Sequence, residues 1–423
     1  MGSRLVRSAL VVGLAAMALV VTGGGSAGPQ ATFKVAWIYP GPHNDHGWSQ
    51  AHDAGRLYVE KMLGSKVQTT YKENISSNAQ VPQVVAGLAR QGYQMIFATS
   101  FGMLENGVNG QLWKKYPSIK FEQATGTEIQ KNQSEYFGAA EDTIYLSGMA
   151  AGAASKKGLI GYIVPFGTPE VVRHLNAFTL GAQATHPGAR VKIIWTTAWY
   201  SPPKETAAAS SLVSAGVDVL GQNVDSDAAG VYAEKHHIPW VGYDSDASSS
   251  APNEWQTASV YNWGLYYLKR VKEAMAGTWK PGFYYGSIND GFTKLAPYGP
   301  NVSAKTKKLI AAKQKAIQSG KFYEFEGPLY DQSGKLMVPK GKTLKVLPDL
   351  YTMQWLVKGV QGSISRVPPP YPGDGGGSGH RDERKRRRRD RRLFASCGAH
   401  GGDHEALSGS GRERRRHVRG RRR

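Results

Sequence analysis

The residues of this chain best equipped for chemistry are indoles, phenols, amides and carboxylates that recur in short loops. Tyr39 opens a loop that reaches Asp45, His46, Gly47 and Trp48. Ser100, Phe101 and Gly102 follow a later apolar run, and Glu122 lies inside another. Farther on, Trp199 with Tyr200, the stretch from Gln222 to Asp225, the run Gly242 to Asp246 around Asp244, and Asn262 beside Trp263 repeat the mixture. Flat rings offer stacking faces, while carboxylates and amides exchange hydrogen bonds with a heterocycle edge. Such a set suits a planar, nitrogen-rich solute.

Catalytic readings fare worse. Gly23 to Gly28 fits both a dinucleotide-loop pattern and, from Gly24, a nucleophile-elbow pattern, but no strand precedes it and no packed helix follows. His43, Asp45, His46 and His52 could be imagined as metal ligands, yet loop histidines are more often solvated or hydrogen-bonded. No cysteine-containing metal pattern is present. Asp244 and Asp246 could act as paired acids in hydrolysis, but no second catalytic constellation accompanies them. No enzyme, metal or cofactor is expected.

The elements that must carry these residues alternate. FKVAWIY (Phe33 to Tyr39) reads as a buried strand, with a helix from Trp48 to Leu63, a strand at Val67 to Tyr71, a helix at Val81 to Arg90 and a strand at Met95 to Thr99. A helix from Leu104 to Tyr116 and a strand from Ile119 to Ala124 follow. The rhythm restarts at Leu159 to Val164 and runs through helix 168–184, strand 191–195, helix 204–215, strand 217–220, helix 228–236 and strand 239–243. This is an α/β pattern of two doubly wound lobes. The expected division is 33–137 with 257–282 as lobe I, 138–256 with 283–330 as lobe II, and 331–362 packing on both.

In doubly wound sheets ligands sit beyond the carboxyl ends of the strands. Trp48, Phe101 and Trp199 stand there and are expected to face a ligand. Trp37, Trp195, Trp263 and Tyr267 fall inside strands or helices and are expected in the core. Asp225 and Asp246 also occupy positions from which they could cap the next helix. Asp244, directly at a strand end, is the carboxylate expected to meet the ligand.

Length and charge set the wider frame. The 423 residues exceed what one core usually organises. The net charge of +21 would suggest nucleic acid, but Ser363 to Arg423 alone holds 18 basic and 7 acidic residues, about half the excess. That segment, 363–423, with RKRRRRDRR at Arg384 to Arg392, lacks apolar periodicity and is expected to be disordered, without a nucleic-acid partner. At the other end, Arg4 and Arg7, an apolar run from Ala9 to Val21 and a small-residue spacer to Gly28 form the plan of a secretory signal over 1–28. The run has 13 residues, against the roughly 20 a membrane-spanning helix needs. Cleavage near Ala27 and a periplasmic or extracellular protein are therefore expected, with tethering by an uncleaved signal as the alternative. The one cysteine, Cys397, cannot serve as a lipid anchor after the signal.

Several segments together resemble the basic membrane protein (Bmp) family of ABC-transporter substrate-binding proteins, the purine-nucleoside receptor group. They are IYPGPHNDHGWSQAHDAGR, ATSFG, KFEQATG, NAFTLGA, GYDSD, ASVYNWGLYYLKRV, FEGPLYDQSGKL and MQWLVKGVQG, spread over Phe33 to Gly362. The resemblance implies a type I periplasmic-binding fold with three hinge crossings that closes on its ligand, a purine base or nucleoside delivered to a membrane permease and its ATPase. It implies that Trp48 and Trp199 stack on the purine, Phe101 adds a wall, Asp45 and Glu122 meet the base edge, and Asp244 is the late-strand aspartate that binds ribose where one is present. Tyr39, Asp225 and Asn262 complete the expected site. Nucleoside-binding members carry a phenylalanine-asparagine pair where this chain has Trp48 and Ser49, and a lysine where it has Asn262; both departures favour a free base such as adenine. A monomer is expected. A ligand-sensing domain or a nucleoside hydrolase on the same fold are the alternative readings.

Overall fold

The computed structural model describes residues 32–75, 78–105, 109–126 and 128–367. The expected signal segment lies outside them, as does all but the start of the basic tail. Lobe I begins with β1 (Phe33–Ile38), α1 (Trp48–Leu63), β2 (Val67–Lys72), α2 (Val81–Arg90), β3 (Met95–Ala98), α3 (Leu112–Lys115), β4 (Lys120–Ala124) and β5 (Gln133–Gly138). Its strands run parallel in the order β2-β1-β3-β4-β5. Alternation along β1 shows why the strand is apolar throughout. Val35 and Trp37 enter one core cluster while Ala36 and Ile38 enter the other, so both faces are covered.

Lobe II is built the same way from α4 (Ala140–Ala154), β6 (Leu159–Val164), α5 (Pro169–Thr185), β7 (Arg190–Trp195), α6 (Pro202–Ser214), β8 (Val219–Gln222), α7 (Ala228–Lys235), β9 (Trp240–Asp244) and β10 (Trp255–Tyr261). The order in its sheet is β10-β9-β8-β6-β7. Helices α4 and α5 pack closely because Gly148 lies against the Phe178 carbonyl and Gly181 against that of Tyr145; a side chain at either would collide with backbone. Such close packing also explains why α4, buried on nearly every side, has no amphipathic stripe to announce it in the sequence.

The later strands correct the expected lobe boundaries. β10 pairs with β9 in the second sheet, so the stretch from Thr257 enters lobe I only at α8 (Trp263–Met275), which packs on α1. β11 (Phe283–Gly286) then pairs with β5 in the first sheet, and β12 (Thr293–Leu295) returns to β10, antiparallel. A strand buried along its whole length, as β10 is, has the same apolar signature in either sheet. Crossings after Gly138, Tyr261 and Gly286 join the lobes, three as the resemblance implies. α9 (Ala304–Gln318) rests on α4. Beyond the hairpin of β13 (Leu329–Tyr330) and β14 (Leu336–Val338), β15 (Val360–Gln361) adds to β7. Of the helix expected over Leu104 to Tyr116, α3 is the regular part described.

Candidate functional site

The carboxyl ends of both sheets face each other across a cavity of about 380 Å³, mouth included. Lobe I contributes Pro40 after β1, Trp48 at the start of α1, Ser100 and Phe101 after β3, and Thr125 after β4. Lobe II contributes Glu170 in the first turn of α5, Trp199 after β7, Asn223 and Asp225 after β8, and Tyr243 with Asp244 at the end of β9. The lobes touch beside the cavity. Ser245 Oγ donates to the His46 carbonyl, and Gly47 lies so close to the Asp225 carbonyl that no side chain fits there.

Trp48 is a fixed wall. Its Nε1 donates to the Thr99 carbonyl at 2.6 Å, and its ring meets His52, Tyr261 and Trp263 edge-on. Trp199 is half-buried, with its ring 5.3 Å from that of Phe166. Its backbone carbonyl accepts from the Asp225 amide at 3.0 Å, which ties the two loops together.

Three acids share the cavity without a lysine, arginine or histidine among the lining residues described. Asp244 is 1% exposed, and neither of its oxygens makes a hydrogen bond of acceptable geometry. It also holds φ +65°, a left-handed conformation unusual for a residue other than glycine. Burial first, then the charges of Glu170 and Asp45, holds its carboxyl well above the ordinary range. Burial and then Asp45 and Asp244 do the same to Asp225, and burial lifts Glu170 to about 7 although Arg173 pulls it back.

Four of the expected site residues lie outside this cavity lining. Asp45 turns its carboxylate to the backbone, accepting from Gly47, Ser49 and Gln50, each at 2.9 Å, so it fixes the start of α1. Glu122 is fully buried in lobe I, where it accepts from Arg270 Nε at 2.7 Å, Tyr266 Oη at 2.7 Å and Trp279 Nε1 at 2.6 Å. Three donors hold that carboxylate within the core of lobe I, outside the cavity lining. Tyr39 donates to Asp53 at 3.0 Å and stacks on Tyr71. Asn262 holds the N-cap position of α8 without a side-chain cap bond.

The imagined metal set also disperses: His43 bonds Glu73 at 2.7 Å and His52 bonds Tyr267. Among the described residues no cluster of potential metal ligands occurs. Glu170 and Thr125 were missed by the sequence reading. The signal for Glu170 was there: the loop after β6 obeys the same strand-end rule, and its Thr168-Pro169 start marks a capped helix whose first turn faces the cleft.

Two doubly wound lobes linked by three crossings enclose one cleft, the architecture of a two-lobed ligand-binding fold. The chain belongs to the Bmp family of PnrA-like ABC transporter substrate-binding proteins, whose pattern it matches over residues 32–322. It is 39% identical over 319 residues to a purine-binding protein of Brucella abortus, covering 75% of this chain and 90% of that one. It is 29% identical over 343 residues to a putative ABC transporter glucose-binding protein of Haloferax volcanii, covering 81% and 84%. Solved ABC transporter solute-binding proteins from Aeropyrum pernix (TM-score 0.61, 16% identity, 69% of this chain and 92% of that one) and Conexibacter woesei (TM-score 0.58, 18% identity, 69% and 98%) share the architecture. At those identities the likeness fixes the fold alone, the type I periplasmic-binding fold. Members of the family work outside the cytoplasm with ABC transporters.

Proposed function

We propose that this cleft captures a purine, a free base such as adenine ahead of a nucleoside, and hands it to the permease of an ABC importer. The observation that carries the reading is one cavity in which Trp48, Phe101 and Trp199 converge with Asp225 and Asp244, in a chain 39% identical to a purine-binding protein. The ring lies between the indoles of the two lobes, and the acids of lobe II take its edge. Ligand contacts to both lobes then favour the closed arrangement that the Gly47 and Ser245 contacts describe.

Titration calorimetry with adenine, adenosine, inosine and glucose tests this. Stacking of a base on an aromatic ring is worth roughly 1–3 kcal/mol, so Trp199→Ala is expected to weaken adenine binding about tenfold or more. Unchanged affinity in both Trp48→Ala and Trp199→Ala would remove the model. Glucose belongs in the panel because carboxylates also accept from sugar hydroxyls and one relative is named for glucose. Recovery of adenosine intact after prolonged incubation separates binding from hydrolysis.

A further inference from the structure

The walls of the cleft offer different hydrogen-bonding groups. Lobe I brings rings and two hydroxyls, Ser100 and Thr125; lobe II brings the three acids and Asn223. Asn223 is fixed from behind, its Nδ2 lying 3.4 Å from Nδ1 of His174, and the Tyr243 hydroxyl is also 3.4 Å from that nitrogen. Across the same imidazole, Nε2 faces Glu141 Oε2 at 4.0 Å. The Asn223 amide nitrogen can only donate, so Nδ1 accepts and the proton sits on Nε2, which is too far from Glu141 for a hydrogen bond. Asn223 lines the cleft and spends an amide N–H on His174, which leaves its Oδ1 as the amide atom free to accept from a ligand. His174 is completely buried, and burial followed by the nearby charge of Arg173 keeps it neutral.

Resting on the purine reading above, we propose that Glu170, Asn223, Asp225 and Asp244 form an acceptor wall, set by His174, that selects amino-bearing purines over their oxo counterparts. Adenine and hypoxanthine differ by one such exchange, as do guanine and xanthine; each exchange replaces an amino donor with a carbonyl acceptor and turns the ring nitrogen beside it into an N–H donor, so the test is whether the wall is placed against the amino position. A carbonyl brought against carboxylates and an amide oxygen leaves buried acceptors facing one another, the mismatch that discriminates most strongly.

The wall also carries a proton linkage. Asp244 faces Glu170, Asp45 and the Tyr243 hydroxyl; Asp225 faces Asp45, Asp244, Glu205 and Glu170; Glu170 faces Arg173 and Glu141. Burial and crowding favour the protonated forms of these acids in the empty cleft, and a protonated acid can donate to a carbonyl, so the wall accepts only as it ionises. A ligand N–H supplies the donor that lets a carboxylate ionise, so capture of an aminopurine releases protons and tightens as pH rises.

Calorimetry on the four bases, each at pH about 5.5 and about 8, decides the matter. Support is an advantage of about tenfold or more for adenine over hypoxanthine and for guanine over xanthine, larger at the higher pH. Asn223→Leu and His174→Leu should narrow that ratio, while Asn223→Asp, which keeps an acceptor in place, should preserve it. A structural role alone would lower all affinities together and leave the ratio unmoved, which counts against the proposal. If His174→Leu does not fold, the two Asn223 variants and the wild-type pairs still decide. Equal or reversed preference overturns this inference and leaves the purine reading standing; failure of every base and nucleoside to bind overturns both.

Discussion

Glu122 in lobe I and Asp244 in lobe II are both fully buried carboxylates on parallel strands, and their surroundings are opposite. Glu122 meets a guanidinium, a phenol and an indole within 2.7 Å. Asp244 meets no hydrogen-bond donor of acceptable geometry among the described residues. Burial raises both, but at Glu122 the charge of Arg270 and three hydrogen bonds oppose the rise, whereas at Asp244 the neighbouring acids add to it. A buried charge that is paired belongs to the fold; on the purine reading, one left without a donor in the cavity lining is the one a ligand meets. The same division separates Asp45, whose acceptors are used on backbone amides, from Asp225, which lines the cavity.

The contrast breaks most visibly at Glu122. Replacing it with alanine leaves Arg270 buried without its main counter-charge, and removing one partner of a buried ion pair costs about 3–5 kcal/mol. Glu122→Ala should therefore lower the urea midpoint sharply at neutral pH, and any affinity loss should follow the loss of folded protein. Weakened ligand binding with stability unchanged would instead put Glu122 back in the site.

Asp244→Asn is expected to do the reverse, on a smaller scale. Its folded-state pKa lies above the unfolded one, so its contribution is fully favourable below the ordinary carboxylate range and is lost as pH climbs toward the raised value. Removing the charge should stabilise the ligand-free protein by about 1 kcal/mol at pH about 8 and by less at pH about 5, while ligand affinity falls. Thermal unfolding of both proteins across that range checks it, and a wild-type curve at or above the variant's at every pH would refute it.

Much of this arrangement could be read in the chain. Strand-end placement was enough to bring Trp48, Phe101, Trp199, Asp225 and Asp244 to one cavity, because the doubly wound topology sends every β-to-α loop to the same edge. Glu122 was not legible, since a residue within a strand faces the cleft or the core according to partners far away in sequence, here Tyr266, Arg270 and Trp279. Asp45 was ambiguous for a local reason: an acid just ahead of a helix can serve backbone amides, as it does here, or a ligand with equal ease. The lobe assignment of β10 and β11 depended on pairing, which a strand's composition does not encode.

The smallest expected effect sharpens the edge of the site. Asn262 stands at the second crossing, half-buried, and its backbone amide donates to the Phe292 carbonyl at 2.7 Å whatever its side chain is. The side chain makes no cap bond for α8 and does not line the cavity. On the purine reading, a free base held between the indoles has no reason to reach it. Asn262→Ala should therefore change stability by no more than about 0.5 kcal/mol and adenine affinity by no more than about twofold. A larger solute, with a sugar projecting from the base, would reach beyond the residues that a free base meets. Adenosine affinity that drops while adenine affinity holds would show that Asn262 meets the part of a nucleoside that a free base lacks.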